Sequence, residues 1–378
     1  MRFLLVGEYS RLHNSLKEGL EKLGHEVIIL GFKDGFKNFP VDFPLVRKWN
    51  SAGLKKIRLL VLRLTGFDIS SYLTYRQFLK NKSQFEHFDA VQLINENSFF
   101  CNYYFEKKIL SHLFKNNPKV FLLSCSDDYL NVKYNFENPQ SKSGIQPYLE
   151  GRIKDKDILS VLKFRTDSFL NLHDYIYTNC RGIIASDFDY DAPLKGNPKY
   201  LGVVPNPVNI DILKEEELDI KDKIVIFMGI NRENYLKKGI DFFEKALKEI
   251  QKKYPEKTEI MVTENVSYSE YIHCYTKAHI LLDQCYANDQ GYNALEAMAK
   301  GKVVFTGAEK EFTEYYTITE PVAINAKPDV AYLVEKLSFL IENPEEIKAI
   351  SKRARAFIEK EHNYIKVAEK YLAIWNNN

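Results

Sequence analysis

One local pattern occurs at two places in the chain, and it restricts the possible folds more than any other feature. A short apolar run ends at a glycine, a loop follows, and the next segment has the apolar spacing of a helix. The runs are residues 2–6 and 224–228, which end at Gly7 and Gly229. Another apolar run, residues 27–30, follows the first helix directly. A strand, a helix and a second strand in this order predict a parallel sheet covered by helices.

Further apolar runs predict the remaining strands of two such sheets. They lie at residues 90–94, 120–123 and 182–185 in the first half and at 260–262, 280–282 and 303–305 in the second. A length of 378 residues exceeds what one hydrophobic core usually accommodates, which favours two domains. We therefore predict an α/β protein with two doubly wound, Rossmann-like domains that face each other across a cleft.

The prolines in residues 201–210 restrict the backbone and predict the linker between the two domains. We expect an acceptor-binding domain in residues 1–205 and a donor-binding domain in residues 206–360. The remaining residues, 361–378, carry a helical pattern that we expect to cross back to the first domain.

Composition and short motifs narrow the class of protein. The formal net charge of +2 predicts no overall attraction to nucleic acid. The five cysteines are widely spaced, which fits neither a disulfide framework nor a zinc site and favours the reducing cytoplasm. No apolar run approaches the roughly 20 residues of a membrane-spanning helix, and the first residues lack the pattern of a signal peptide. The glycine motifs of dehydrogenases and of phosphate-loop ATPases follow neither opening strand.

The segment 289–307 is the most informative for function. A glycine turn leads into a helix that carries Glu296, and this helix ends at a glycine before an apolar strand. The order resembles the signature of glycosyltransferase family 4, a family of retaining enzymes with the GT-B fold. The resemblance implies that Glu296 binds the ribose hydroxyls of a nucleotide-diphosphate sugar, and a carboxylate can accept from both hydroxyls. The alternative is an exposed glutamate on an amphipathic helix.

The helix N-terminus before Glu296 is predicted to hold the diphosphate, because its free amides and its dipole favour anions. The donor-binding candidates there are Gly291, Tyr292, Asn293 and Ala294. Family members carry a second glutamate eight positions before the first, where it contacts the donor sugar. Here that position is Asn288, and Asp289 is the adjacent carboxylate. Both stay donor-side candidates, and the departure leaves the identity of the donor sugar open.

A second segment that resembles the family runs from residue 227 to residue 247. Gly229 ends the strand, and Lys238 matches a family lysine at a Lys-Gly pair before the next helix. The family's arginine in this loop has its nearest counterpart in Arg232. We predict that Lys238 and Arg232 stabilise the charge on the departing diphosphate, so that neither a metal ion nor another cofactor is needed. The alternative is that they are solvated loop charges, as Lys237 would be.

The first half resembles the family less sharply, and so do two segments of the second half. Residues 203–209 are similar to the family's Pro-Asn-x-Val segment, and residues 263–270 occupy the place where members hold the base. We expect the acceptor side of the cleft to carry Gly7, Ser126 and Asp127. Asp127 with Asp128 could suggest a metal site, but paired-acid sites of that kind belong to another fold. A helix N-cap is the alternative at this position.

Residues 46–64 combine six basic side chains with many apolar ones in the pattern of an amphipathic helix. This pattern predicts a peripheral contact with the anionic inner face of a membrane, which suits a lipid-linked acceptor. A core helix with solvated basic edges is the alternative.

The predicted reaction is metal-independent, retaining transfer of a hexose-type unit from a nucleotide sugar to a sugar or lipid-linked hydroxyl acceptor, in polysaccharide or glycolipid synthesis. Two other functions remain open. One is a non-catalytic nucleotide-sugar-binding protein, and the other is a GT-B enzyme of another type, an inverting transferase or an epimerase.

Overall fold

The computed structural model describes residues 1–34, 38–264, 266 and 268–378, and these form two lobes, each built on a parallel sheet. The first sheet has the order β3-β2-β1-β4-β5-β6-β7 and the second the order β12-β11-β10-β8-β9. Their strands are β1 (Arg2–Val6), β2 (Glu26–Gly31), β3 (Phe43–Pro44), β4 (Ala90–Leu93), β5 (Val120–Ser124), β6 (Gly182–Ala185), β7 (Tyr200–Val203), β8 (Ile224–Ile230), β9 (Thr258–Glu264), β10 (Ile280–Leu282), β11 (Val303–Thr306) and β12 (Ile324–Asn325).

Helices connect these strands and cover both faces of each sheet. The first lobe contains α1 (Leu12–Lys22), α2 (Ala52–Thr65), α3 (Ile69–Lys80), α4 (Tyr103–Asn116), α5 (Tyr129–Glu137), α6 (Gln146–Leu149), α7 (Leu159–Leu162), α8 (Asp167–Asn179) and α9 (Phe188–Leu194). The rest of the chain contains α10 (Ile240–Lys253), α11 (Tyr268–Lys277), α12 (Tyr292–Ala299), α13 (Lys310–Tyr315), α14 (Val330–Glu342), α15 (Pro344–Phe357) and α16 (Tyr364–Asn377).

The apolar runs of the sequence all form strands, so the predicted α/β class with two doubly wound parallel sheets is confirmed. One expectation is wrong. The predicted linker begins at residue 201, but residues 200–203 form β7, and Tyr200 pairs with Ile183 of β6. The connection between the lobes therefore starts only after Val203.

Apolar side chains pack on both faces of each sheet because neighbouring residues of a strand point in opposite directions. In β1, Phe3 and Leu5 contact the cluster that includes α1 and α16, whereas Leu4 and Val6 belong to the cluster with α3, α4 and α8. In β8, Phe227 lies on the face covered by α12 and α15. Burial on both faces explains why these strands are continuous apolar runs in the sequence.

Helix α16 packs against α1 of the first lobe, although it follows the second lobe in the chain. A Cβ atom on Gly19 of α1 would lie 2.3 Å from the carbonyl oxygen of Tyr364, so glycine permits this close approach. Near the other end of α16, Trp375 is buried with its ring 4.9 Å from that of Phe3, and its Nε1 donates to Gln92 Oε1 at 3.2 Å.

The carboxyl ends of the two sheets meet at the contact between the lobes. Asn288, which follows β10, donates its backbone N–H to Asp189 Oδ1 of α9 at 2.6 Å. Two ion pairs also join the lobes. Lys142 Nζ lies 2.9 Å from Glu309 Oε1, and Arg152 Nη2 lies 2.7 Å from Asp241 Oδ2. In parallel sheets this edge is where loops and helix N-termini bind ligands.

Candidate functional site

A buried carboxylate at the end of β10 fixes the side chain of Lys238. Asp283 follows β10 directly, and its Oδ1 accepts from Lys238 Nζ at 2.9 Å. The same oxygen accepts from Asn293 Nδ2 at 3.0 Å, and Thr306 Oγ1 donates to Oδ2 at 3.4 Å. The Lys238 side chain is 35% exposed, whereas that of Asp283 is 1% exposed. A buried carboxylate thus anchors a half-exposed ammonium group at the carboxyl edge of the second sheet.

The first turn of α12 belongs to the same hydrogen-bond network. Asn293 accepts from the Tyr271 hydroxyl at 2.7 Å through its Oδ1. Glu296 is half-buried and follows Asn293 by three residues, so both side chains lie on one face of α12. The structure therefore brings together the predicted residues Lys238, Asn293 and Glu296, together with the unpredicted Asp283.

Two predicted glycines belong to this part of the site. A Cβ atom on Gly229 would lie 2.5 Å from Cε2 of Tyr271, so glycine lets the ring rest on the end of β8. Gly291 is the N-cap of α12 and has extended backbone angles. Ala294 is fully buried and packs in the apolar cluster under this helix.

Arg232 lies in a separate ion pair. Its Nε and Nη2 donate to the two carboxylate oxygens of Glu264 at 2.6 and 2.5 Å, and its side chain is 50% exposed. The hydrogen bonds that Arg232 donates to this carboxylate raise the pKa of Arg232 and lower the pKa of Glu264. Arg232 would have to exchange this partner to bind a phosphate.

The donor-side candidates Asn288, Asp289 and Tyr292 contact the first lobe or the connection to it. Asn288 Nδ2 donates to Asp189 Oδ1 at 2.9 Å, and Asp289 Oδ2 accepts from the backbone N–H of Phe188 at 3.4 Å. Burial raises the pKa of Asp289 to about 7. The Tyr292 hydroxyl donates to the carbonyl of Pro207 at 2.7 Å.

The acceptor-side candidates lie at the carboxyl ends of β1 and β5. Gly7 has a φ of 93°, and a Cβ atom there would lie 2.2 Å from Cγ2 of Ile94. Ser126 is exposed with a φ of 73°. Burial raises the pKa of the neighbouring Asp127, while the charge of Lys237 lowers it. Lys237 belongs to the second lobe, so Asp127 faces the cleft.

Asp128 is the N-cap of α5, because its Oδ1 accepts from the backbone N–H of Asn131 at 2.7 Å. The N-cap alternative thus holds for the second acid of the pair. Over the described part of the chain, no group of three His, Cys, Asp or Glu side chains could hold a metal ion.

Two residues of the site that the sequence analysis did not predict, Asp283 and Glu8, also follow strands. Asp283 stands directly after an apolar run that was predicted as a strand, so the rule that ligands bind beyond carboxyl ends could have selected it. Glu8 follows Gly7 and is buried, and its Oε2 accepts from the backbone N–H of Asn14 at 2.9 Å. Burial raises the pKa of Glu8 to about 7. The predicted base-contacting segment 263–270 lies partly outside the described residues.

The basic amphipathic segment forms α2, and no residue of this helix is buried. Leu60 and Leu64 are 57% and 74% exposed, and Ile57 is 51% exposed. The alternative of a core helix is therefore wrong, because α2 covers no core. None of the helices in the described part of the chain is long and apolar enough to cross a bilayer.

Comparison with known proteins defines the fold. Residues 237–373 match a family described as glycosyl transferase-like, and no curated protein sequence matches the chain. Sucrose-phosphate synthase from Thermosynechococcus elongatus superposes with a TM-score of 0.61 at 14% identity, covering 100% of this chain and 98% of that one. HepE from Anabaena, solved with UDP and glucose, superposes with a TM-score of 0.59 at 11% identity over 100% of both chains.

The chain has the GT-B fold. GT-B proteins of a different activity are also similar, since UDP-GlcNAc 2-epimerase from Neisseria meningitidis superposes with a TM-score of 0.50 at 15% identity over 100% of both chains. At these identities the superpositions establish GT-B architecture alone. The residues matched by the glycosyl transferase-like family begin after β8 and include Lys238, Asp283 and Glu296.

Proposed function

We propose that this GT-B protein is a glycosyltransferase that moves a sugar from a nucleotide-diphosphate donor to a hydroxyl acceptor. The observation that carries the proposal is the network in which buried Asp283 holds Lys238 and Asn293 at the N-terminus of α12. Glu296 lies on the same face of that helix, one turn further on. A cation, free amides and a carboxylate are thus grouped at the carboxyl edge of one sheet. They suit the diphosphate and the ribose of one nucleotide.

The proposed chemistry follows from these charges. As the bond between sugar and phosphate breaks, negative charge grows on the leaving diphosphate, and Lys238 with the α12 amides stabilises it. Asp283 acts as a positioning residue that limits the freedom of the ammonium group. Because a fixed cation serves this role, the reaction needs no divalent metal. We further propose that transfer proceeds with retention and that the leaving phosphate assists deprotonation of the acceptor hydroxyl, as the resemblance to family 4 implies.

We also propose that α2 holds the protein at the cytoplasmic face of a membrane, where polysaccharide or glycolipid acceptors are found. Residues 46–64 contain six basic residues and no acidic one, and the apolar side chains of α2 are exposed. Such a helix lies in the headgroup region with its apolar side toward the acyl chains. Leu60→Ser with Leu64→Ser should release the protein from phosphatidylglycerol vesicles in a sedimentation assay. Phe339→Ser, which removes an exposed side chain of α14, should not.

The decisive experiment is a thermal-shift panel of nucleotide sugars and free nucleoside diphosphates, followed by an assay of donor hydrolysis. Ligand binding raises stability by RT ln(1 + [L]/Kd), so the ranking reports the base and the sugar together. An active transferase should also hydrolyse its best donor slowly. Binding without hydrolysis would favour a non-catalytic protein, and conversion of the donor to its epimer would favour an epimerase. The anomeric configuration of the transferred sugar distinguishes retention from inversion.

A further inference from the structure

The first-lobe side of the cleft carries two cations, Lys163 and Arg47. Among the residues that the structure describes, neither has a carboxylate within 4.0 Å of its nitrogen atoms. Lys163 follows α7, and Arg47 follows β3. Charged groups that are partly removed from water normally have a paired counter-charge, because desolvation of an unpaired charge costs free energy.

Lys163 is half-buried, and the side chain that accepts a hydrogen bond from its ammonium group is a neutral amide and not a carboxylate. Its Nζ donates to Asn97 Oδ1 at 2.9 Å and lies 4.6 and 5.0 Å from the ring centroids of Phe164 and Phe169. Asn97 in turn donates to buried Glu106 at 2.9 Å. Burial lowers the pKa of Lys163 most and the charge of Arg47 lowers it further, whereas the charges of Glu106 and of Asp127, which faces the cleft, raise it. The net direction is downward, so these two carboxylates do not fully compensate the ammonium group.

Arg47 lies on an aromatic surface at the same edge of the sheet. Its Cζ is 5.3 Å from the centre of the Phe100 ring, and it is exposed. The ring of Phe100 is 6.1 Å from that of Tyr9 and 5.5 Å from that of Phe32. These residues follow β1, β2, β3 and β4, so four strand ends contribute to one surface. Half-buried rings with a few polar groups are typical of sites for small ligands.

We propose that the acceptor carries a phosphate group, which Lys163 and Arg47 bind while the acceptor's apolar surface packs on Phe100 and Tyr9. The proposal rests on the proposed function and names the acceptor class of that site. A phosphate monoester carries between one and two negative charges at neutral pH, which matches two cations better than a carboxylate does. The arginine fork and the lysine point charge are both common phosphate ligands. Arg47 also lies in the basic segment 46–64, five residues before exposed α2, and this position would suit the phosphate of a lipid.

Titration with inorganic phosphate tests the site directly. The intact protein is first saturated with the nucleoside diphosphate that stabilises it most, so that the donor phosphate site is filled. Calorimetry should then show saturable phosphate binding, which weakens about tenfold or more in Lys163→Met and in Arg47→Gln. Lys108→Met, on exposed Lys108 of α4, is the matched control and should bind phosphate as the wild type does.

Thermal stability separates a ligand-binding cation from a structural one. If Lys163 binds a phosphate and has no structural role, the ligand-free Lys163→Met variant should melt at the same temperature as the wild type or higher. The reason is that the substitution removes an uncompensated charge. A lower melting temperature would mean that Lys163 neutralises Glu106 structurally, and this overturns its assignment. Absence of phosphate binding by the wild type, or unchanged binding by Arg47→Gln, which alters an exposed residue, would also overturn the proposal. Nucleotide binding in the same samples reports separately on the proposed function.

Competition identifies the source of the phosphate. Glucose 6-phosphate and glucose form one matched pair of competitors, and phosphatidylcholine vesicles with and without phosphatidic acid form the other. Displacement of inorganic phosphate by the phosphorylated member of either pair supports the proposal and assigns a soluble or a lipid acceptor. Displacement by neither phosphorylated ligand would indicate an adventitious ion only and would contradict it.

Discussion

The two sides of the cleft each present a half-exposed lysine, and the two lysines differ in their partners. On the second lobe, Lys238 donates to the buried carboxylate of Asp283 at 2.9 Å. On the first lobe, Lys163 donates to the neutral amide of Asn97, also at 2.9 Å. A cation that is already paired is held in place before any ligand arrives, whereas an unpaired one gains most when an anion binds. Under the proposed function, this difference corresponds to a preorganised donor side and an acceptor side that its ligand completes.

The largest effect should come from removing the paired lysine. We expect Lys238→Ala to lower kcat by ~10²-fold or more, on the scale of losing one charge-stabilising donor. Charge on the diphosphate grows toward the transition state, so kcat should fall more than donor affinity. Lys245→Ala, on the exposed side of α10, is the control for steady-state kinetics. Full turnover of Lys238→Ala at saturating donor would move the phosphate site to Arg232 or Lys237.

A smaller effect is expected from the carboxylate on the same helix face. Glu296→Gln should weaken nucleotide binding by about 1–3 kcal/mol, the usual range for a hydrogen bond to a charged group. Isothermal calorimetry with the best nucleoside diphosphate measures this directly. Exposed Glu311→Gln on α13 should leave the affinity unchanged. Equal affinities of wild type and Glu296→Gln would refute the ribose assignment and weaken the contrast between the two sides of the cleft.

The contact between the two lobes should respond to pH through Asp289. Its pKa of about 7 lies above the ordinary value, so the folded protein retains a proton that the unfolded chain has released. This contribution to stability is full below the ordinary pKa of 3.8 and is progressively lost as pH rises from there through about 7. Between about pH 6 and about pH 8, the wild type should lose about 1 kcal/mol more unfolding free energy than Asp289→Asn. Parallel urea-denaturation profiles of the two proteins would show that Asp289 is already ionised.

The smallest expected effect is that of a chelator. Because Lys238 and the α12 amides supply the proposed charge stabilisation, donor hydrolysis should be unchanged after EDTA treatment. Loss of activity that manganese restores would contradict this and direct attention to Asp127 and Asp128. It would also place an essential cation outside the paired network of the second lobe.

The central strands were predictable from the sequence, while the missed ones lie at sheet edges. Strands β3, β7 and β12 each end a sheet, and two of them have only two residues. An edge strand has a neighbour on one side only and lacks the long apolar run that burial on both faces produces. The prolines that follow β7 also led to the prediction of a linker at this position instead of a strand.

In the site, the sequence indicated residues that belong to one continuous segment, such as Asn293 and Glu296 on α12. The partners that hold them come from distant parts of the chain. The pairing of Lys238 with Asp283 joins the start of α10 to the end of β10, 45 positions apart in sequence. The ion pair of Arg232 with Glu264 likewise depends on where β9 ends in space. Such distances are set by the packing of whole elements and have no local signature.

The position of Trp375 has a consequence for synthesis of the protein. Its ring lies in the core of the first lobe beside Phe3 and Phe121, and no other part of the described chain separates it from them. During translation, the first lobe is made some 170 residues before Trp375. Until then the groove for α16 exposes apolar side chains, including those around Gly19. The core of the first lobe is therefore completed only after the second lobe and α16 have been synthesised. Chaperone binding to this groove is expected during that interval.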